Sequence, residues 1–276
     1  MGNKKPAKKE PAKKEPAKKK AAKKHKAADV HADSGADDRA FLQTYRLEDF
    51  PRPSVAVDVV ALTVLDGGLK VALYTRTAPP SVGLLALPGG FVGIGESLDD
   101  AARRLLVDKA GLRDVFVEQL YTFGEPERDP RGRIISVAYV ALVDAVRFED
   151  SADGRHRRWR IDVPWPGETG GPVDVLDDHG KVQQLAFDHA EVVGTAVKRL
   201  RGKLDYTPVG FQLLPAEFTL RQLQDVHEAV RGEGVNKDSF RRRMLASGHL
   251  EATGNHERHV TWRPAELYRF VRRSAV

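Results

Sequence analysis

The sequence predicts an α+β protein in which an α/β/α sandwich with a mixed sheet is followed by a small helical domain and preceded by a disordered tail. Residues 45–202 alternate strand-like and helix-like apolar patterns, which is typical of helices packed on a sheet. Residues 203–276 carry their own helix-capping and turn signals, which indicate a separate domain. Residues 1–44 are low-complexity sequence with few apolar side chains, so we expect disorder there.

Length and composition limit the possible classes of protein. A chain of 276 residues is long enough for two modest domains with cores of their own. No apolar run approaches the roughly 20 residues that a membrane span needs, so we expect no membrane partner. The lysine-rich start is not followed by an apolar segment, and the chain has no cysteine for disulfides or thiolate metal sites. We therefore expect a cytoplasmic protein.

Positive charge is concentrated at the start of the chain. The formal net charge is +6, but residues 1–27 hold 12 Lys and 2 Glu, so the remainder of the chain is net negative. A PAKKE unit occurs twice in this tail. The tail either binds DNA phosphates without sequence preference or only keeps the protein in solution, and the sequence leaves both alternatives open.

Local signals place the elements of the first domain. Four strands are expected at residues 55–64, 70–76, 115–123 and 134–145. The turn at residues 66–68 predicts a hairpin between the first two. Ser97 is a helix cap and Gly111 a helix stop, with apolar residues in helical register between them. Residues 150–180 predict an inserted arm or hairpin, and the spacing at residues 192–200 predicts a closing helix.

A spaced motif spans the loop and the helix of this domain. Gly90 is followed after five residues by Glu96 and after seven more by Arg104, and the motif ends at residues 111–112. It comes directly after the residues 87–89, Leu-Pro-Gly. This arrangement resembles the Nudix box, whose full pattern is G-x5-E-x7-R-E-U-x-E-E-x-G-U, where U is a bulky apolar residue. The resemblance implies a Nudix fold.

The motif departs from the Nudix pattern at its acidic positions. In the family these side chains hold divalent cations against a diphosphate. Here the positions are occupied by Leu105, Asp108 and Lys109. We therefore predict a pocket that binds a nucleoside diphosphate derivative without cleaving it, with no catalytic residue, no metal site and no required cofactor. The alternative is that Asp108 and Glu96 hold one Mg²⁺ weakly and support slow turnover.

Candidate ligand-binding residues lie on the loops around this motif. Arginine suits phosphate because its planar guanidinium donates two parallel hydrogen bonds, and glycine allows close backbone approach. The candidates are Arg76, Gly89, Gly90, Glu96, Arg104, Asp129, Arg131 and Arg133. Each is alternatively a solvated loop residue. For His189 we expect capping or packing at a helix start rather than ligand contact.

The second domain begins with two capped helices. Thr219 with Gln222 matches a capping box, and an apolar face follows it. A glycine turn leads to Asn236, which caps a second helix at residues 237–247. Strands at residues 249–253 and 259–263 flank a Gly-Asn turn. Pro264 is expected to open a last helix.

Helix, tight turn, helix and hairpin is the order of a winged helix-turn-helix. The second helix and the hairpin carry polar and cationic side chains that suit base edges and phosphates. The DNA-binding candidates are Asn236, Lys237, Ser239, Arg241, Arg242 and Arg243 on the helix, and Asn255, His256 and Arg258 on the hairpin. The alternatives are a solvated basic face or a protein-binding surface.

Several segments together resemble NrtR, the Nudix-related regulators of NAD metabolism in bacteria. They are LPGGFV with the altered Nudix box, LAFDHAEVV, FTLRQLQDVHEAV and NKDSFRRRML. The resemblance covers residues 45–273. It implies a homodimer on a partly palindromic operator, repression of NAD biosynthesis, salvage or uptake genes, and ADP-ribose as an effector that weakens DNA binding. It also places the ligand pocket around Arg76, Gly89, Gly90, Phe91 and Arg131.

Two other functions compete with this hypothesis. One is an active ADP-ribose pyrophosphatase with an accessory C-terminal domain, against which Leu105 and Lys109 argue. The other is general nucleic-acid binding through the lysine-rich tail. The sequence does not identify the operator or the regulated genes.

Overall fold

The computed structural model describes residues 2, 34–150, 156–204, 207–258, 261 and 263–271. It divides into an N-terminal unit, Met1–Pro51, and a larger unit, Arg52–Val276. Nearly all of the lysine-rich tail lies outside the described residues, and its predicted disorder stays a prediction. None of the described helices combines the length and the apolar character needed to cross a bilayer.

The end of the predicted tail differs from the expectation. Disorder was predicted up to residue 44, but a helix α1 forms at Ser34–Thr44. Asp37 lies in its first turn, where an acidic side chain interacts favourably with the helix dipole. The Phe41 and Tyr45 ring centroids are 5.1 Å apart, and those of Tyr45 and Phe50 are 5.5 Å apart. Residues 34–44 are therefore helical, although their composition assigns them to the tail.

A mixed sheet forms the centre of the larger unit. Its strands are β1 (Ser54–Leu65), β2 (Gly68–Thr75), β3 (Leu85–Ala86), β4 (Gly89–Phe91), β5 (Phe116–Phe123), β6 (Ile134–Leu142), β7 (Arg157–Asp162), β8 (Asp174–Leu176) and β9 (Val182–Gln183). The order is β5-β6-β1-β2-β7-β8-β9, with β3 on β2 and β4 on β1. Strands β1 and β6 are parallel, and the other pairs are antiparallel. Asp66 and Gly67 have φ of 52° and 70°, as the predicted hairpin turn requires.

Helices cover both faces of this sheet. They are α2 (Leu98–Ala110), α3 (Ala145–Asp150) and α4 (His189–Lys203). Alternate residues of β1 face opposite sides: Val59 packs in the cluster with α2, and Val60 packs in the cluster with α4. Ser97 caps α2 by accepting a hydrogen bond from the Asp100 N–H, and Gly111 ends it with φ of 66°. The predicted α/β/α sandwich is therefore present.

The inserted arm is part of the sheet. Strand β7 pairs antiparallel with β2, and β8 pairs with β7, so the predicted hairpin extends the sheet sideways. Trp165 lies in the connection between β7 and β8, where it is buried and donates from Nε1 to the Pro172 carbonyl at 3.1 Å.

The C-terminal helices form where their caps predict. They are α5 (Leu220–Arg231) and α6 (Lys237–Ala246). The capping box is complete, because Thr219 Oγ1 accepts from the Gln222 N–H and Gln222 Oε1 accepts from the Thr219 N–H. Asn236 caps α6 by accepting from the Ser239 N–H at 3.0 Å.

The prediction of a helix after Pro264 is wrong. The segment is strand β11 (Glu266–Phe270), which pairs antiparallel with β10 (Leu250–His256). The Gly-Asn turn predicted at residues 254–255 is also wrong, because both residues lie within β10, and the strand predicted at 259–263 lies partly outside the described residues. Distant partners decide the conformation: Tyr268 exchanges backbone hydrogen bonds with Phe218 at 2.8 and 2.9 Å, and Phe270 stacks on Phe211. Local spacing does not reveal such partners.

Candidate functional site

A cationic cavity of about 280 Å³ opens between β2, β4, the loop before β6 and the start of α4. Six of the residues predicted from the sequence line it: Arg76, Gly89, Gly90, Phe91, Asp129 and Arg131. Residues that the ligand prediction did not include also line it, among them Asp58, Tyr74, Lys109, Arg128, Phe187 and His189. The signal for Asp58 was its position as the lone charged residue in an apolar strand.

Three predicted ligand residues lie outside the cavity lining. Arg104 forms a two-bond ion pair with Glu96 at 2.6 and 2.8 Å and also donates to the Phe91 carbonyl at 3.2 Å. The hydrogen bond from Arg104, helped by the Gly93 N–H, lowers the pKa of Glu96 to about 2. Arg133 donates to the Gly124 carbonyl at 2.6 Å. These side chains hold the loops beside the cavity, and a direct ligand contact from them stays a prediction.

The two predicted arginines face aromatic rings in the cavity. The guanidinium of Arg76 lies 4.9 Å from the Phe187 ring centroid, and its Nε donates to the Pro80 carbonyl at 2.8 Å. The guanidinium of Arg131 lies 5.2 Å from the Phe91 ring centroid and donates two hydrogen bonds to Asp129. Burial alone would raise the pKa of Asp129, but the bonds from Arg131 hold it below its usual value.

A buried charge network forms the floor of the cavity. Asp58 accepts a hydrogen bond from Ser136 Oγ at 2.5 Å and lies 3.5 Å from Arg128. Arg128 donates two bonds to Asp188 at 2.7 and 2.8 Å, across 60 residues of sequence. Asp188 directly precedes α4. The network therefore links the floor of the cavity to the first turn of α4.

His189 is buried in the same network. Its Nδ1 accepts a hydrogen bond from the Leu87 N–H at 3.1 Å, and its Nε2 lies 3.7 Å from Asp58. Burial lowers the pKa of His189, although the nearby negative charge of Asp58 acts to raise it. This contact agrees with the packing role expected from the sequence, although the ring also lines the cavity.

The altered Nudix positions do not fit a divalent cation. Leu105 is buried, and a Cβ added at Gly90 would lie 2.9 Å from its side chain. Lys109 brings an ammonium to the cavity lining. Within the described ranges, no group of three or more His, Cys, Asp or Glu side chains is arranged to hold a metal ion. An ammonium repels a divalent cation and attracts an anion.

Helix α4 connects the cavity to the C-terminal domain. Near its end, the buried Arg201 donates from Nε to the Val230 carbonyl at 2.8 Å, in the last turn of α5. Its Nη1 donates to the carbonyls of Trp165 and Gly167 at 3.1 and 2.9 Å. Burial lowers its pKa. One guanidinium therefore joins the sheet extension, α4 and α5.

The second candidate site is the exposed surface of α6 and the β10–β11 hairpin. Phe240 turns inward, where its ring centroid lies 4.9 Å from that of His227. All of the predicted DNA-binding residues are exposed: Asn236, Lys237, Ser239, Arg241, Arg242, Arg243, Asn255, His256 and Arg258. Asn255 also contacts Glu217 at 3.2 Å. Phe240 therefore packs α6 against the domain, while the cationic side chains of α6 are exposed to solvent.

Two known domains match this architecture. The NUDIX domain matches residues 53–166, and the NrtR DNA-binding winged helix domain matches residues 210–270. The chain is 34% identical over 239 residues to the ADPR responsive transcriptional repressor NtrR of Acinetobacter baylyi. That match covers 86% of this chain and 89% of the relative. The chain belongs to the NrtR family.

A solved structure of an NrtR protein also matches this chain. Shewanella oneidensis NrtR, solved in complex with a 27mer DNA, is 34% identical and matches with a TM-score of 0.64 over 79% of this chain and 93% of that chain. An ADP-ribose pyrophosphatase of Methanocaldococcus jannaschii is 29% identical over 152 residues, which cover 55% of this chain and 76% of that protein. The resemblance to NrtR and the fold class predicted from the sequence are confirmed.

Proposed function

We propose that this NrtR-family chain is a transcriptional repressor of NAD biosynthesis and salvage genes that binds operator DNA and senses ADP-ribose. Residues 45–202 form the ligand-sensing domain and residues 203–276 the DNA-binding domain. The protein acts as a homodimer on a partly palindromic operator, since a two-fold protein matches a two-fold site. The observation that carries the proposal is the exposed basic helix α6 in a domain that α4 joins to the cationic cavity.

The charge of the cavity supports ADP-ribose as the ligand. A diphosphate needs cationic donors, which Arg76 and Arg131 supply, and Phe91 and Phe187 add aromatic faces. The Acinetobacter baylyi relative is named as responsive to ADPR. We infer that the cavity binds this ligand without hydrolysing it, because Leu105 and Lys109 replace two carboxylates that would hold Mg²⁺.

Helix α4 supports a route between ligand and DNA. Arg128 and Asp188 fasten its start to the cavity floor, and Arg201 fastens its end to α5. A ligand that shifts the loop carrying Arg128 therefore moves the start of α4 and, through Arg201, the C-terminal helices. ADP-ribose weakens DNA binding if it binds the arrangement of the domains that does not bind DNA more tightly than the one that does. The size of the effect is set by the difference between its two affinities, and operator DNA weakens the binding of ADP-ribose reciprocally.

Operator binding tests the DNA half of the proposal. Fluorescence anisotropy on promoter fragments of NAD genes should show specific binding that ADP-ribose weakens. Arg242→Ala and Arg243→Ala should each cost about 1–3 kcal/mol if that side chain contacts a base, and specificity should relax at one position. Arg103→Ala, on an exposed face of α2, is the matched control. Unchanged sequence preference in both helix variants would contradict the placement of α6.

Deleting residues 1–33 separates sequence-specific binding from binding by the tail. The proposal predicts that specific operator affinity survives the deletion, while nonspecific affinity and its salt dependence decrease because 12 Lys are removed. Loss of all binding would instead favour the tail as the DNA-binding element.

The alternative function is an active ADP-ribose pyrophosphatase, which the Methanocaldococcus jannaschii relative favours. Losing two metal-binding carboxylates should slow hydrolysis by several orders of magnitude. Product release from ADP-ribose with Mg²⁺ distinguishes the two functions. Turnover at an ordinary enzymatic rate would contradict the proposed sensor.

A further inference from the structure

Lys109 differs in its partners from two other cations of the cavity, Arg128 and Arg131. Arg128 is paired with Asp188, and Arg131 is paired with Asp129. The contact that Lys109 makes is with an aromatic ring: its Nζ lies 5.0 Å from the ring centroid of Tyr74. Among the described residues, no carboxylate oxygen lies within 4.0 Å of this ammonium. Its positive charge is therefore available to an anion that enters the cavity.

A second cation, Arg76, lines the cavity beside the same tyrosine. Tyr74 lies near the end of β2 and Arg76 directly follows that strand, and both side chains line the cavity with Lys109. Arg76 donates to the backbone carbonyls of Pro80 and Ala78 and also interacts with the Tyr74 hydroxyl, so these partners are neutral groups that leave its charge in place. Burial raises the pKa of Tyr74, so its hydroxyl stays protonated and can donate a hydrogen bond. Two cations and one hydroxyl group therefore line the same cavity.

We propose that Lys109 and Arg76 form a metal-free binding site for the diphosphate of the ligand, an inference that rests on the proposed ADP-ribose function. Lys109 occupies a motif position where a carboxylate would hold a cation. The substitution supplies the positive charge from the protein itself. The ammonium and the guanidinium, which line the same cavity as Tyr74, neutralise part of the diphosphate charge with charge-assisted hydrogen bonds. Ligand binding then needs no divalent cation.

Diphosphate binding by Lys109 and a purely structural role for this residue predict different effects of its loss. If the ammonium only packed against the Tyr74 ring, its loss would affect stability and leave ligand affinity almost unchanged. If it binds diphosphate, its loss lowers affinity and reduces the dependence of affinity on ionic strength. Affinity measured with and without divalent cation separates the two roles.

The test uses the full chain and isothermal titration calorimetry with ADP-ribose, in EDTA and in excess Mg²⁺. Wild-type affinity should be the same in both buffers. Lys109→Met keeps an apolar stem of similar length but removes the ammonium. This variant should bind ADP-ribose roughly ten- to a hundredfold more weakly, because one charge-assisted hydrogen bond is lost. Lys109→Arg should retain most of the affinity. Arg103→Met removes an exposed cation from the same helix and should change nothing.

Inorganic pyrophosphate is the second probe, because it isolates the diphosphate. The proposal is overturned if wild-type binding of ADP-ribose requires Mg²⁺, or if Lys109→Met binds within about twofold of wild type. If ADP-ribose does not bind but pyrophosphate binds in a Lys109-dependent way, the diphosphate site stands and the proposed effector is wrong. If neither probe binds, both are wrong.

Discussion

Replacing Arg201 by Met tests the connection between the two domains. The guanidinium is buried and donates to three backbone carbonyls, those of Val230, Trp165 and Gly167. Each hydrogen bond contributes about 1 kcal/mol net, and buried carbonyls left without a donor add a penalty. Stacking on the Trp165 ring at 4.8 Å adds about 0.5–1 kcal/mol. Relief from burying a charge offsets part of this sum. We expect the free energy of unfolding to fall by about 2–4 kcal/mol.

Urea denaturation followed by tryptophan fluorescence measures this loss. The control is Lys198→Met on the same helix, whose exposed ammonium makes one long bond of 3.3 Å and whose loss should change stability by less than about 0.5 kcal/mol. Arg201→Met should also reduce the effect of ADP-ribose on operator affinity, because α4 would no longer be fastened to α5. Wild-type stability together with an unchanged ADP-ribose effect would refute this role of Arg201.

Three further variants probe individual contacts. Thr219→Ala removes the capping box of α5 and should lower stability by about 1 kcal/mol in thermal unfolding, whereas Thr219→Ser should restore most of it; equal stability of all three proteins would contradict this. Gly89→Ala would place a Cβ 2.0 Å from Asp58 Oδ1, so it should displace Asp58 and weaken ADP-ribose binding in calorimetry. Wild-type affinity of this variant would show that Asp58 can move without loss of binding. Burial lowers the pKa of His189, so between its folded pKa and 6.5 the unfolded chain binds a proton that the folded chain does not. The free energy of unfolding should therefore fall as pH drops below about 6.5, by at most about 1.4 kcal/mol per pH unit from this residue. His189→Gln should make that dependence shallower, and an identical pH profile would contradict the assignment.

Local chemistry made much of the fold predictable. The hairpin turn at Asp66, the cap at Ser97 and the capping box at Thr219 each depend on neighbours within four residues, and each formed as expected. Strand β11 was mistaken for a helix because Tyr268 takes its conformation from Phe218, which lies fifty residues earlier. The pattern of apolar residues does not encode that pairing.

The candidate cavity was predictable only in part. Loop arginines next to a glycine-rich motif indicated Arg76 and Arg131, since both features are visible in sequence order. Arg128 was missed because its partner Asp188 is 60 residues away. Asp58 gave a usable signal, because a carboxylate within an apolar strand of a doubly covered sheet must have a polar partner. Lys109 was noted as a lost carboxylate, but its position beside Tyr74 required the fold.

In the proposed repressor, one chain couples the binding of ADP-ribose to the binding of operator DNA. Calorimetric titration of ADP-ribose into the free protein and into the protein saturated with operator measures that coupling directly. Reciprocal linkage predicts weaker ADP-ribose binding to the operator complex, by the same factor as that by which ADP-ribose weakens operator binding. Equal ADP-ribose affinity for the free and operator-bound protein would contradict the account.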